Sequence, residues 1–275
     1  MNVFILGLRR SGTTIFWETL RQDKRFIAYD EPFNPLLVDL PLQNRKQTRD
    51  ELIKVYQKDP VAFQQNFAPI PLEEEFQPGL TEAQVNYLKW LLQQSDKPSI
   101  IDFTRCAFKI EALHQIDPEA VLVHLHREAG AFATSHLIPS RSRQKPPLHV
   151  HLRDCYRRAS FFIRQGDFDA YGYETLYNLH DGDLWRLKKS ASALEKLLVI
   201  SKTSSEVVTR DGLDKFQSRF VSICFEEFTA NPVECVEKIM ALTSIDISNL
   251  NFESVRRASL RYLTDSSRWD NLYGY

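Results

Sequence analysis

The sequence predicts an α/β fold, a largely parallel sheet flanked by helices and carrying helical insertions, on three observations. Brief apolar runs bounded by polar or turn residues occur at Val3–Leu6, Ala120–Leu125 and Phe220–Phe225, the form of buried strands. Helix-period patterns occur at Thr13–Arg21, Ala129–Ile138 and Val233–Leu242. The two kinds alternate, strand then helix, and that order builds parallel sheets with helices on their faces.

The remaining elements follow in chain order. Arg25–Tyr29 is a possible second strand and Ser99–Phe103 a weaker one than those above. Glu82–Gln94 reads as a helix, with Leu80-Thr81-Glu82 as its start, and Ala107–Gln115 as another. Residues 36–98 interrupt the rhythm, being rich in Gln, Pro and charge. Residues 140–218 hold mostly helical pattern with two gaps, the basic stretch Ser140–Pro147 and Thr209-Arg210-Asp211-Gly212. With no internal repeat, one domain over residues 1–275 carrying two helical insertions is the simplest organisation.

Composition sets bounds. The 275 residues are 43% hydrophobic and 26% charged, enough to bury a full sheet. A net charge of −1, from 35 basic and 36 acidic residues, argues against a nucleic-acid partner while leaving room for a local basic site. Cys106, Cys155, Cys224 and Cys235 are scattered, without the spacing of a metal site or a disulfide framework. The opening apolar run lacks a basic flank and a cleavage site, and no stretch reaches the 18 or so apolar residues of a transmembrane segment. A cytoplasmic location and no bound metal are expected.

The chemistry concentrates at the front. Gly7-Leu8-Arg9-Arg10-Ser11-Gly12-Thr13-Thr14 links the first strand to an amphipathic helix. Such a turn aims backbone N–H groups and a helix N-terminus at one point, an anion cradle. The spacing is that of G-x-x-x-x-G-K-[ST], so the predicted sheet is P-loop-type, except that Thr13 stands where the lysine belongs. That lysine reaches the β- and γ-phosphates of a nucleoside triphosphate; Arg10 is the cation available instead.

Arg10-Ser11-Gly12-Thr13-Thr14 after an N-terminal strand resembles the 5′-phosphosulfate loop of sulfotransferases that use 3′-phosphoadenosine 5′-phosphosulfate (PAPS). The resemblance implies PAPS as co-substrate, with Arg9, Arg10, Ser11, Gly12, Thr13 and Thr14 as its 5′ site and Arg10 acting in catalysis. A second motif agrees with it. The run Val121–His126 ends in Arg127, and Ser135 follows eight residues later, about two helical turns on. This is similar to the family's 3′-phosphate motif, and a dianionic phosphate suits a guanidinium fork with a hydroxyl donor. The chain departs from the family in having Glu128-Ala129 where Asp-Pro is usual.

Tyr29-Asp30-Glu31-Pro32 follows the second strand, and strand ends face the ligand crevice of open α/β sheets. The family's carbohydrate-type branch carries Glu-Pro here, which implies Glu31 as general base; Asp30 competes for the role, with His136 and His149 in reserve. Arg105 is an extra cation for the donor. Val221-Ser222-Ile223-Cys224-Phe225-Glu226-Glu227-Phe228, then Asn231-Pro232, resembles the family's late strand and following helix, whose residues are mainly structural. Ser266-Ser267-Arg268-Trp269 resembles the tail loop over the adenosine, which implies a nucleotide contact for Trp269. The resemblance covers the first 35 residues, about 99–140, and the last 55; residues 36–98 and 140–218 lie where the family varies to fit its acceptors.

The expected function is therefore sulfuryl transfer from PAPS to an acceptor hydroxyl or amine on a small molecule, carbohydrate or lipid. The rivals are a small-molecule kinase, which needs the missing lysine and a Mg²⁺-binding acidic strand end, and a non-catalytic nucleotide-binding protein, against which Glu31 argues. His124, His126, His149 and His151 alternate on strand-like segments without a third ligand in register, and the aromatics of 156–185 are assigned to packing.

Overall fold

Val3–Leu6 forms β1, and each of its four residues is fully buried in the computed structural model, which describes residues 1–39, 49–137 and 193–255. Then come α1 (Thr13–Leu20), β2 (Ile27–Asp30), α2 (Asp50–Lys58), α3 (Pro60–Asn66), α4 (Glu82–Leu92) and β3 (Ser99–Phe103). They are followed by α5 (Ile110–Ile116), β4 (Val121–His126), α6 (Ala129–Leu137), α7 (Ala193–Phe216), β5 (Phe220–Cys224), α8 (Phe225–Ala230) and α9 (Pro232–Met240).

The strands lie in the order β2-β3-β1-β4-β5, and every pairing among them is parallel. Central strands covered on both faces are apolar at every position, which is why Val3–Leu6 shows no polar alternation. The alternation survives as a division of faces. Phe4 and Leu6 join one core with Tyr29, Phe103 and Leu122, while Val3 and Ile5 join the other with Phe16, Trp17 and Val123. Trp17 of α1 donates its indole N–H to the Ile100 carbonyl at 3.3 Å and ties that helix to β3.

Residues 49–98 are part of the first core. Leu52, Phe63, Ile70, Phe76, Tyr87 and Leu88 all bury their side chains there. Local signals build these helices: Asp59 caps α3 with Pro60 at its first position, and Thr81 and Gln84 close a capping box on α4. The helix start read at Thr81 is therefore a true cap, while α2 and α3 are additional to the sequence reading.

Two expectations are corrected. Thr209-Arg210-Asp211-Gly212, read as a break, lies inside the continuous helix α7. A Cβ at Gly212 would stand 2.2 Å from the Phe220 ring, so the glycine serves close packing of α7 on β5 rather than a turn. The helix read from Ala107 begins only at Ile110, since the backbone of Lys109 is not helical (φ −115°, ψ 23°); its side chain donates to the carbonyls of Glu74, Gln77 and Gly79 at 2.8–3.0 Å. The Ser140–Pro147 stretch lies outside the described residues.

Candidate active site

The β1–α1 turn adopts a conformation that few sequences accept. Its Ser11 N–H donates to the Leu8 carbonyl at 3.1 Å, and Gly12 caps α1 with φ 98°. A Cβ at Gly12 would also stand 2.2 Å from the Phe225 ring, so both backbone and space require glycine there. Arg10 is left-handed as well, with φ 73°. Left-handed residues in a short loop turn successive N–H groups to one side, the concavity that receives an anion. The first N–H groups of α1 add a helix N-terminus. The Ser11 hydroxyl is buried without a hydrogen-bond partner among the described residues, and Thr14 is exposed. Loop geometry and donors fit a 5′-phosphosulfate.

Two clusters of side chains flank the turn. In the first, Arg127 follows β4, stacks at 5.7 Å on the Phe225 ring and pairs through Nε with Glu226 at 3.1 Å. Its Nη1 donates to the Arg10 carbonyl at 3.2 Å, and the Arg10 guanidinium donates to the Ser135 carbonyl at 3.3 Å. Ser135 Oγ donates to the Phe132 carbonyl at 2.7 Å. The structure thus brings Arg10, Arg127 and Ser135 together beside the cradle. His136 stands among the same arginines. Burial first, then the charge of Arg10, lowers its pKa to about 3, so it is neutral and a weak base.

The second cluster surrounds Glu31, whose φ is 46°. Three described non-glycine residues are left-handed, and two are Arg10 and Glu31, the predicted catalytic pair. Strain of this kind concentrates at functional sites. Glu31 Oε1 accepts from the Thr104 hydroxyl at 2.6 Å, and Oε2 accepts from Asn34 at 2.6 Å and Arg49 at 3.4 Å. Burial pushes its pKa up, but the Thr104 and Asn34 bonds with the charges of Arg105 and Arg49 more than offset this. Glu31 is ionised at neutral pH.

Asp30 is nearly buried, 3.8 Å from Arg49 Nε, and β-sheet register sets it beside Asp102. A narrow cleft with no room for a water molecule lies between Glu31, Phe33, Phe103, Thr104 and Arg105. The Glu31 side chain is 19% exposed and that of Asp30 only 5%, so Glu31 is the more accessible of the two carboxylates.

Sequence reasoning missed several participants. Glu75, 2% exposed, accepts at Oε2 from Arg9 at 2.5 Å and from Arg105 at 2.9 Å. Burial pushes its carboxyl up to about 7 against the pull of Arg9 and Arg105. Thr104 could have been found, since it follows a strand read from the sequence; Arg49 and Glu75 carried no local signal. Glu226 had been assigned a structural part, and its contact is to the predicted phosphate ligand itself.

Asp102, also missed, is a fully buried acidic residue near the end of β3, close to Thr13. A magnesium-dependent P-loop enzyme holds its metal with such a residue. Burial, with Asp30 and Glu31 nearby, raises the Asp102 pKa well above the usual carboxylate range. Among the described residues no three His, Cys, Asp or Glu side chains are grouped to hold a metal, and no helix is long and apolar enough to cross a membrane. Trp269, Ser266 and His149 lie outside the described residues.

The sequence model described as "Sulfotransferase family" matches residues 2–159, more than half of the chain. Among solved structures, the sulfotransferase domain of the Synechococcus PCC 7002 olefin synthase is similar at 12% identity and a TM-score of 0.49, over 100% of this chain and 94% of that one. A sulfotransferase from Alicyclobacillus acidocaldarius is similar at 16% identity and a TM-score of 0.44, covering 98% and 94%. STF9 from Mycobacterium avium follows at 15% identity and 0.38, over 100% of this chain and 68% of that one. Among curated protein sequences nothing matches the chain.

Proposed function

The chain belongs to the sulfotransferase family, and on that footing we propose that its donor is PAPS and that Glu31 is the general base. The turn Arg9-Arg10-Ser11-Gly12-Thr13-Thr14 takes the 5′-phosphosulfate, and Arg127 with Ser135 takes the 3′-phosphate. The observation that most supports this is the meeting of two motifs 117 positions apart, through the bond from Arg127 to the Arg10 carbonyl. Parallel pairing of β1 with β4 makes the two motifs neighbours, and a donor with a 5′-phosphosulfate and a 3′-phosphate on one ribose suits both.

In the proposed reaction the acceptor oxygen or nitrogen forms a bond to sulfur while the bond from sulfur to the 5′-phosphate oxygen breaks. The acceptor proton passes to the Glu31 carboxylate, and the electron pair stays on the phosphate as adenosine 3′,5′-bisphosphate leaves. Arg10 and the loop N–H groups stabilise the charge that builds on the leaving oxygens. A sulfuryl group carries less negative charge than a phosphoryl group, so side-chain cations suffice. Residues 36–98 and 140–218, within one domain, shape the acceptor site for a small-molecule, carbohydrate or lipid acceptor. A cytoplasmic location belongs to the same proposal, supported by the free thiols of Cys106, Cys224 and Cys235.

Calorimetric titration tests the donor. PAPS and adenosine 3′,5′-bisphosphate should both bind without added metal, and ATP, lacking the 3′-phosphate, should bind far more weakly. Equal binding of ATP with a strict Mg²⁺ requirement would favour a kinase.

A further inference from the structure

Arg9 and Arg10 are neighbours whose side chains serve different clusters: Arg10 reaches Ser135, while Arg9 reaches Glu75. Glu75 follows the short 3₁₀ turn Leu72–Glu74 and is rigidly mounted. Lys109, 2% exposed, binds three carbonyls of the same loop, at Glu74, Gln77 and Gly79. Gln84 of α4 holds the Glu74 side chain at 3.0 Å, and Phe76 is buried in the core. The carboxylate so delivered accepts from two arginines on different loops, Arg9 before α1 and Arg105 after β3. Arg105 in turn lines the cleft at Glu31.

We infer that Glu75 is a positioning residue for sulfuryl transfer, its Oε2 tying Arg9 to Arg105 and holding the two guanidiniums as a pair between the anion cradle and Glu31. This rests on the donor reading above. Burying a carboxylate with two arginines contributes little to net stability, so stability alone does not explain the arrangement. It does fix two long, rotamer-rich cations beside the sulfuryl group as negative charge builds on the leaving oxygen, and preorganised charge of that kind lowers a barrier. Without the bridge, Arg105 is drawn to Glu31, whose carboxylate it would neutralise.

The groups facing Glu75 are Arg9 from the β1–α1 loop, Arg105, Cys106 and Lys109 from the segment after β3, and Glu31 from the loop after β2. Burial first, against Arg9 and Arg105, sets the Glu75 carboxyl at about 7, whereas that of Glu31 lies below its ordinary 4.5. The bridge therefore weakens as pH falls through 7, well above the range where the base is protonated. The expectation is an acid limb near pH 7 in the kcat profile from the bridge, and a second, lower limb from Glu31.

The test is Glu75→Gln, assayed for kcat against pH with PAPS and for binding of adenosine 3′,5′-bisphosphate, which lacks the sulfuryl group. The expected result is kcat at pH 8 reduced about tenfold or more, loss of the limb near 7, and bisphosphate affinity within about twofold of wild type. Glu75→Asp, which keeps the charge on a shorter arm, should recover part of kcat and retain the limb; it also serves as the test if the amide variant does not fold. Undiminished kcat in Glu75→Gln, or tighter PAPS binding with faster turnover, would overturn the positioning role, the latter by making Glu75 a counter-ion that the donor displaces. Wild-type protein that binds neither nucleotide would overturn the donor reading, and this role with it.

Discussion

The guanidinium of Arg127 donates to the backbone carbonyl of Arg10, 3.2 Å away across 117 positions of chain. The strand-end arginine thereby helps to hold the turn in its left-handed form. It is held in place itself by Glu226 and the Phe225 ring. The residues proposed to take the 3′-phosphate and the 5′-phosphosulfate are therefore linked through the protein.

Removing that arginine should be costly for binding. Arg127→Ala loses a charge-assisted fork to the 3′-phosphate and should weaken PAPS affinity by about 2–4 kcal/mol. Calorimetry reads the change, and unchanged affinity would place the 3′-phosphate elsewhere.

Donor binding should also appear as stability. PAPS and adenosine 3′,5′-bisphosphate should each raise Tm without added metal, through about 2.7 kcal/mol of added stability at a hundredfold excess over Kd. ATP should shift Tm little. Equal shifts from all three would show that the 3′-phosphate goes unread.

The turn itself is open to test at Gly12. Gly12→Ala forces a side chain into a left-handed conformation and against the Phe225 ring. The expected cost is about 2 kcal/mol or more, lowering Tm by about 4–8 °C, with PAPS binding lost. A variant of wild-type stability would mean that the turn relaxes freely.

Much of this turn was legible because its chemistry is contiguous. A buried strand, a glycine turn and a helix follow one another within residues 3–20, and Arg127 directly follows β4, whose first five residues are buried. The electrostatic partners were not legible. Glu75 meets arginines 66 and 30 positions away, from a segment whose short helices α2 and α3 left no long period to read. Arg49 reaches Glu31 from the same stretch. Gly212 misled for a related reason, since its need is set by the ring of Phe220, which local pattern does not reveal.

Glu75 should also leave a mark on stability. Its folded pKa of about 7 exceeds the ordinary 4.5, so between those values the folded protein binds more protons than the unfolded chain. Stability from this group is full below about pH 4.5 and is lost as pH rises through 7. Glu75→Gln carries no such proton, so its Tm relative to wild type should be higher at pH 8 than at pH 5. Equal differences at both pH values in thermal melts would contradict the assignment.

The most direct measurement of the central claim is turnover of Glu31→Gln with PAPS in a folded protein. The amide keeps the shape of the side chain and removes its charge and basicity. Fold and PAPS affinity should hold, while kcat falls by about 10²–10⁴, the usual worth of a positioned proton acceptor. The limb near pH 7 should persist in the residual activity, because it belongs to Glu75. Near-normal turnover in a well-folded Glu31→Gln protein would remove Glu31 as the base and leave it a structural carboxylate held by Thr104, Asn34 and Arg49.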